Sequence, residues 1–202
     1  YVSSIHAGPS GQVGGNQELN IPDGYSEDFT CQEGLTLGHY FGAQWSGSLF
    51  QGNPNGTVNR VDHGNGFPTV SPGDWESATN SIIAANELKV NIQAKNNYYP
   101  STRGVFLHTE VEVLDASLTN ELRIVVHLIE DSLVGKQKTQ TGYIPDFVHR
   151  DIMRGSIDGK AFGETLDASN LDQNGKYYVN YKYCLPEQYD EDNVHFLIYV
   201  RD

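Results

Sequence analysis

From Leu88 onward the chain alternates apolar and polar residues with a period of two. Leu88, Val90, Ile92 and Ala94 share one face of the first such stretch, and Val105, Leu107, Val111 and Val113 share one face of the second. Leu122, Ile124, Val126 and Leu128 follow, then Tyr177, Val179, Tyr181 and Tyr183, and finally Val194, Phe196, Ile198 and Val200. Half-buried strands joined by turn residues keep one face on a core and the other in water, so residues 88–202 are expected to form an antiparallel β-sandwich, immunoglobulin-like or jelly-roll-like. Read as a hairpin, 105–114 and 122–129 set Leu107 opposite Leu128, Val111 opposite Ile124 and Val113 opposite Leu122. That register also faces Glu112 with Arg123, an opposite-charge cross-strand pair of about 0.2–1 kcal/mol.

Residues 1–87 read differently. A strand at 1–6 runs into a glycine turn, a polar loop fills 8–30, and a helix is expected around Leu35 to Phe41. A turn-rich stretch Gly47–Gly56, a strand Thr57–Val61 and a second helix near Trp75–Ala85 follow. Pro72 precedes that helix, Ser71 or Asp74 can cap it, and Glu76 lies in its first turn, where the helix dipole favours a carboxylate. Alternating strand and helix marks this half as α/β, giving an α+β chain of two domains, 1–87 and 88–202. Because Tyr1–Gly8 reads as a strand already inside a fold, a further segment is expected upstream of Tyr1.

Composition narrows the function. Thirteen Lys and Arg stand against 26 Asp and Glu, a net charge of −13, which repels phosphates and anionic headgroups and sets nucleic-acid binding aside. No window reaches the roughly 18 consecutive apolar residues of a membrane helix, so the chain reads as soluble. Cys31 and Cys184 have no partner at metal-ligand or C-x-x-C spacing and read as two free thiols, with a long-range disulfide between them as the alternative. Abundant Tyr, Gly and Asn with little Met fits an extracytoplasmic β-rich protein.

Candidate chemistry is sparse. In the hairpin register His108 faces His127 with Glu110 beside them, a set that would suit a transition metal; the apolar neighbours Phe106, Val125 and Ile129 favour hydrogen-bonded histidines at a packing contact. Asn170–Gly175 imitates the start of a calcium loop, but Asn stands in the first ligand position and Tyr181 in that of the bidentate Glu, so an Asn-Gly turn explains the same residues. Cys31 with His6 or His39 permits a thiol–imidazole pair, and the serines lack a nucleophile-elbow setting. No catalytic, cofactor or metal residue is therefore assigned. Tyr98, Tyr99, Tyr143 and Tyr189 are candidate contact residues, since tyrosine offers a large surface with a polar tip. Two segments are more specific than plain scaffold: Glu130–Gln137, opening on paired acids, and Phe147–Gly155, with His149 and Arg154. Glu130, Asp131, His149 and Arg154 are expected to form either an ion cluster pinning a long connection or part of a binding surface.

The order of these segments carries a resemblance. Ser4-Ile-His6-Ala-Gly8, Asn53-Pro54 through Asn59-Arg60, Trp75, Glu130-Asp131 with Gln137, and Phe147-Val-His149 leading to Arg154-Gly155 together resemble the twenty-eight-kilodalton outer-membrane protein family of Bacteroidetes, across essentially the whole chain. The resemblance implies an incomplete thioredoxin-like domain over 1–87, with Tyr1–His6 as its central strand and Pro54 in the cis-proline position, followed by the β-sandwich. It implies an outer-membrane lipoprotein, surface-exposed or periplasm-facing, held by an N-terminal lipid anchor absent from this chain, that binds a protein or glycan at the cell surface as an adhesin or receptor. The alternative it leaves is a thiol–disulfide oxidoreductase whose C-x-x-C lies upstream of Tyr1.

Overall fold

The two periodicities become separate units in the computed structural model, which describes residues 5, 28–46, 55–64, 66–118, 121–139 and 141–202. Contacts divide the chain between Glu87 and Leu88. The expected strand at 1–6, His6 and Pro54 fall essentially outside the described residues, as does most of Gly47–Gly56.

In the unit ending at Glu87, helix α1 spans Gln32–Ser46, longer at both ends than the apolar pattern indicates. Cys31 stands just before it, and its sulfur accepts the Gly34 N–H at 3.3 Å, satisfying one of the amides that a helix N-terminus leaves without a carbonyl. Leu35 and Leu37 are buried. Strands β1 (Gly56–Thr57) and β2 (Thr69–Val70) pair antiparallel. The expected strand 57–61 stops after Thr57 because Asn59 and Arg60 both adopt left-handed backbone, φ 53° and 54°, which no strand accommodates. Helix α2 occupies Trp75–Ala85, as its end signals predict. Neither Ser71 nor Asp74 caps it through its side chain; the backbone of a 3-10 turn at Pro72–Asp74 leads in instead, and left-handed Asn86 ends the helix. Trp75 anchors its start by donating Nε1–H to the Val70 carbonyl at 2.8 Å.

In the unit beginning at Leu88 the strands are β3 (Val90–Tyr99), β4 (Gly104–Val113), β5 (Arg123–Glu130), β6 (Leu133–Lys138), β7 (Tyr143–His149), β8 (Ile152–Ser156), β9 (Glu164–Thr165), β10 (Lys176–Cys184) and β11 (Val194–Arg201). All their pairings are antiparallel. One sheet runs β10–β4–β3, a second β11–β5–β8 with β9 also on β5, and β6–β7 form a two-stranded ribbon. Val105, Leu107, Val111, Val179 and Tyr181 from the first sheet join Ile124, Val126 and Leu128 from the second in one core, closed by Ile157, Leu166 and Leu185. Full burial of each aliphatic side chain there contributes about 1.5–3 kcal/mol.

The expected hairpin between 105–114 and 122–129 does not form. β4 pairs with β3 and β10, while β5 pairs with β11, β8 and β9. After Val113 the Lys89 carbonyl accepts the Leu114 and Asp115 N–H groups, and an Asp115–Ser117 side-chain turn carries the chain away from β4. The same residues face inward as expected, but from opposite sheets of one core. Glu112 accordingly stands beside Asn91 and Lys176, and Arg123 beside Thr165 and Arg201.

Candidate functional site

A bulge creates the central feature of the expected ion cluster. Leu128 pairs with Gly155 and Ile129 with Met153, which leaves Arg154 as the extra residue of β8. Gly155, at φ 147°, supplies the conformation that follows the bulge. Arg154 reaches Glu130 at the end of β5, Nε to Oε2 3.3 Å, and its guanidinium lies 4.9 Å from the centroid of the Tyr189 ring. Glu130 is only 2% exposed, and its other oxygen accepts the Asp190 N–H at 2.8 Å. The pair therefore ties two strands to the connection between β10 and β11.

The other two members of the predicted cluster belong elsewhere. Asp131 pairs with Arg150 at 2.9 Å and accepts the Asp151 N–H at 3.4 Å. Its carboxyl lies below the usual range: desolvation pushes it up, but hydrogen bonds from Ser132, Arg150 and Asp151 outweigh that. His149 is buried in β7, paired with Leu133 and set edge-on to Phe147 at 4.9 Å.

Arg103 was not singled out by the sequence, although it also holds this connection. It sits at the β3–β4 turn with φ 49°. Its side chain donates to the carbonyls of Leu185 at 3.1 Å, Pro186 at 3.1 Å and Tyr189 at 2.6 Å, and to Glu191 at 3.1 Å. Tyr98 also donates to Glu191, which raises the Tyr98 pKa, the hydrogen bond being the main cause. The acidic stretch 187–192 is thus held by both Arg103 and Arg154. A guanidinium reading three backbone carbonyls has no sequence signature beyond a lone Arg in a turn.

The remaining candidates separate. His108 and His127 lie in different sheets, so the register that set them opposite each other does not form; His108 meets Asn180 at 2.7 Å, and His127 is buried against Tyr199. Glu110 is held by Lys176 at 2.5 Å and Tyr178 at 3.0 Å, and these bonds, Lys176 first, depress its pKa. Asp172, in the calcium-like stretch, accepts the N–H groups of Asn174 and Lys176 and the Asn174 amide, the geometry of a turn feeding β10. Cys31 and Cys184 are not in a disulfide. Of the four tyrosines, Tyr98 and Tyr189 are engaged in the clamp. Tyr99 and Tyr143 remain 51% and 38% exposed, with Lys136 stacked over Tyr143 at 5.2 Å.

The outer face of the β10–β4–β3 sheet is where exposed side chains converge. Phe106 and Tyr178 are 38% and 43% exposed there. Tyr99 stands edge-on to Phe106, ring centroids 5.8 Å apart. Asn91, Gln93 and Asn97 of β3 alternate outward on the same face.

Ion pairs that hold the β10–β11 connection and an open sheet face of aromatic, amide and charged groups belong to one β-rich unit. The family model described as outer membrane protein Omp28 matches residues 42–202, and the chain belongs to that family. No curated protein matches. Among solved structures, HBP35 of Porphyromonas gingivalis is similar at 13% identity and a TM-score of 0.48, over 61% of this chain and 39% of that one. The chain thus spans well under half of that protein. No described helix is long and apolar enough to cross a membrane.

Proposed function

We propose that this chain is the soluble part of an outer-membrane lipoprotein, displayed at the cell surface, that binds host or microbial macromolecules as an adhesin or receptor and performs no catalysis. Membership of the outer-membrane family carries the reading. The open sheet face supports it, because exposed Tyr and Phe among amides make a surface suited to contact. The two stacked sheets are read as a sandwich, and the unit ending at Glu87 as thioredoxin-like. Proteinase treatment and antibody labelling of intact cells test the reading. Labelling without permeabilisation, together with binding of the purified chain to host cells or their matrix, is expected. A chain accessible only after the outer membrane is opened would overturn it. Turnover of insulin disulfides by the full-length protein would favour the oxidoreductase.

A further inference from the structure

Strand register places three rows of residues at one end of the outer face of the β10–β4–β3 sheet. They are Lys95–His108–Asn180, Asn97–Phe106–Lys182 and Tyr99–Gly104–Cys184. Phe106 and Tyr99 meet at an interplanar angle of 85°, forming an aromatic corner, and the Lys182 ammonium lies 5.8 Å from the Phe106 centroid. His108 occupies the Asn180 amide oxygen at 2.7 Å, which leaves the amide nitrogen as an outward donor. These rows hold two lysines and no carboxylate, in a chain of net charge −13. Of the carboxylates of the same face, Glu110 stands in the next row, two residues from His108, where it is bound to Lys176 and Tyr178, and Glu112 stands one row further along.

We propose that this end of the sheet binds an acidic glycan, a polysaccharide carrying carboxylate groups. The inference rests on the surface-binding reading and names its ligand. A sugar ring offers an apolar C–H face, which the aromatic corner matches, and a rim of hydroxyls, which the amides of Asn97 and Asn180 match as donors and acceptors. Its carboxylate meets Lys95 and Lys182. The charge of Glu110 in the next row is answered by Lys176, and charges more than about 8 Å away are largely screened at physiological ionic strength, so the two lysines set the charge of these rows. A folded protein partner would demand a larger apolar core than Phe106 and Tyr99 provide.

Affinity electrophoresis of the full chain through gels containing sodium alginate, hyaluronan or neutral dextran tests the proposal. Retardation by at least one of the two carboxylated polymers, and none by dextran, is expected. Phe106→Ala and Lys95→Gln, both at exposed positions, should each weaken that retardation about tenfold, equivalent to about 1.4 kcal/mol, while thermal unfolding stays unchanged. Equal retardation in dextran, none in either carboxylated polymer, or variants that bind like the native chain would overturn it. Surface labelling of cells reads out separately: a surface-exposed chain that ignores both acidic polymers sinks the glycan inference alone, and a chain hidden from intact cells sinks the adhesin reading.

Discussion

At Gly163 the backbone leaves no room for a side chain. A Cβ there would stand 2.2 Å from the Ile124 carbonyl oxygen and 2.7 Å from Val125 Cγ2, with φ at +77°. Gly159 has a similar φ of +69° but open space around it. Gly159→Ala should therefore cost only the left-handed penalty, about 1–2 kcal/mol, whereas Gly163→Ala adds a backbone clash and should lose about 3 kcal/mol or more. Urea unfolding of both variants checks this, and equal losses would refute the clash. Asp172 shows how a single carboxylate sets an acid response. The Lys176 N–H is the largest cause of its lowered pKa, with the Asn174 N–H also contributing. A carboxyl depressed on folding binds fewer protons in the native state, so its stabilisation is complete above the unfolded value of about 3.9 and is lost as pH falls through the folded one. Asp172→Asn keeps the turn's acceptor but not its charge. The gap in stability between the two proteins should be widest at neutral pH and close below about pH 4, as measured by denaturation across a pH series.

At the scale of elements, two arginines govern one connection. Arg154→Met should cost about 3–5 kcal/mol, because it leaves the Glu130 carboxylate buried without its cation. Glu130→Gln should cost less, since an amide oxygen can still accept the Asp190 N–H. In a double-mutant cycle the combined variant should be markedly less destabilised than the sum of the singles; simple additivity would show that the ion pair is not coupled. Arg103→Ala removes donors from three carbonyls and a carboxylate and should lose about 2 kcal/mol, with faster hydrogen exchange confined to residues 185–193. Period-two alternation made the inward faces legible here: Leu107 and Val111, and Ile124 and Leu128, do point into one core. It did not make pairing legible, because a residue's face follows from its own strand and its neighbour from the path of the connection. The stretch 114–122 admitted a hairpin on charge matching, and the Lys89 carbonyl and the Asp115 turn sent it to the other sheet. Glu130 with Arg154 was legible as a cluster; Asp131 and His149 were grouped with them by sequence proximity, which register then separated.

Across the whole molecule, charge and core are distributed unevenly between the two units. Arg60 is the one basic residue before Lys89, so most of the net negative charge lies before Leu88. Every residue of the main core cluster, and every partly buried side chain packed on it, lies after that point. A segment that holds this core and a net charge of −5, from 12 Lys and Arg against 17 Asp and Glu, carries the means to fold by itself, since burial supplies the driving force and removing the more acidic part lowers self-repulsion. Leu88–Asp202 expressed alone should therefore unfold in urea as a single cooperative transition, with coincident fluorescence and circular dichroism curves and an m value of about 1–2 kcal/mol/M. Because the proposed glycan rows, Lys95 to Tyr99 with their partners on β4 and β10, lie wholly within it, the excised unit should also keep the retardation in carboxylated gels shown by the full chain. A broad transition would place part of the folding free energy outside this core, while cooperative unfolding with lost retardation would place part of the binding surface outside the sheet.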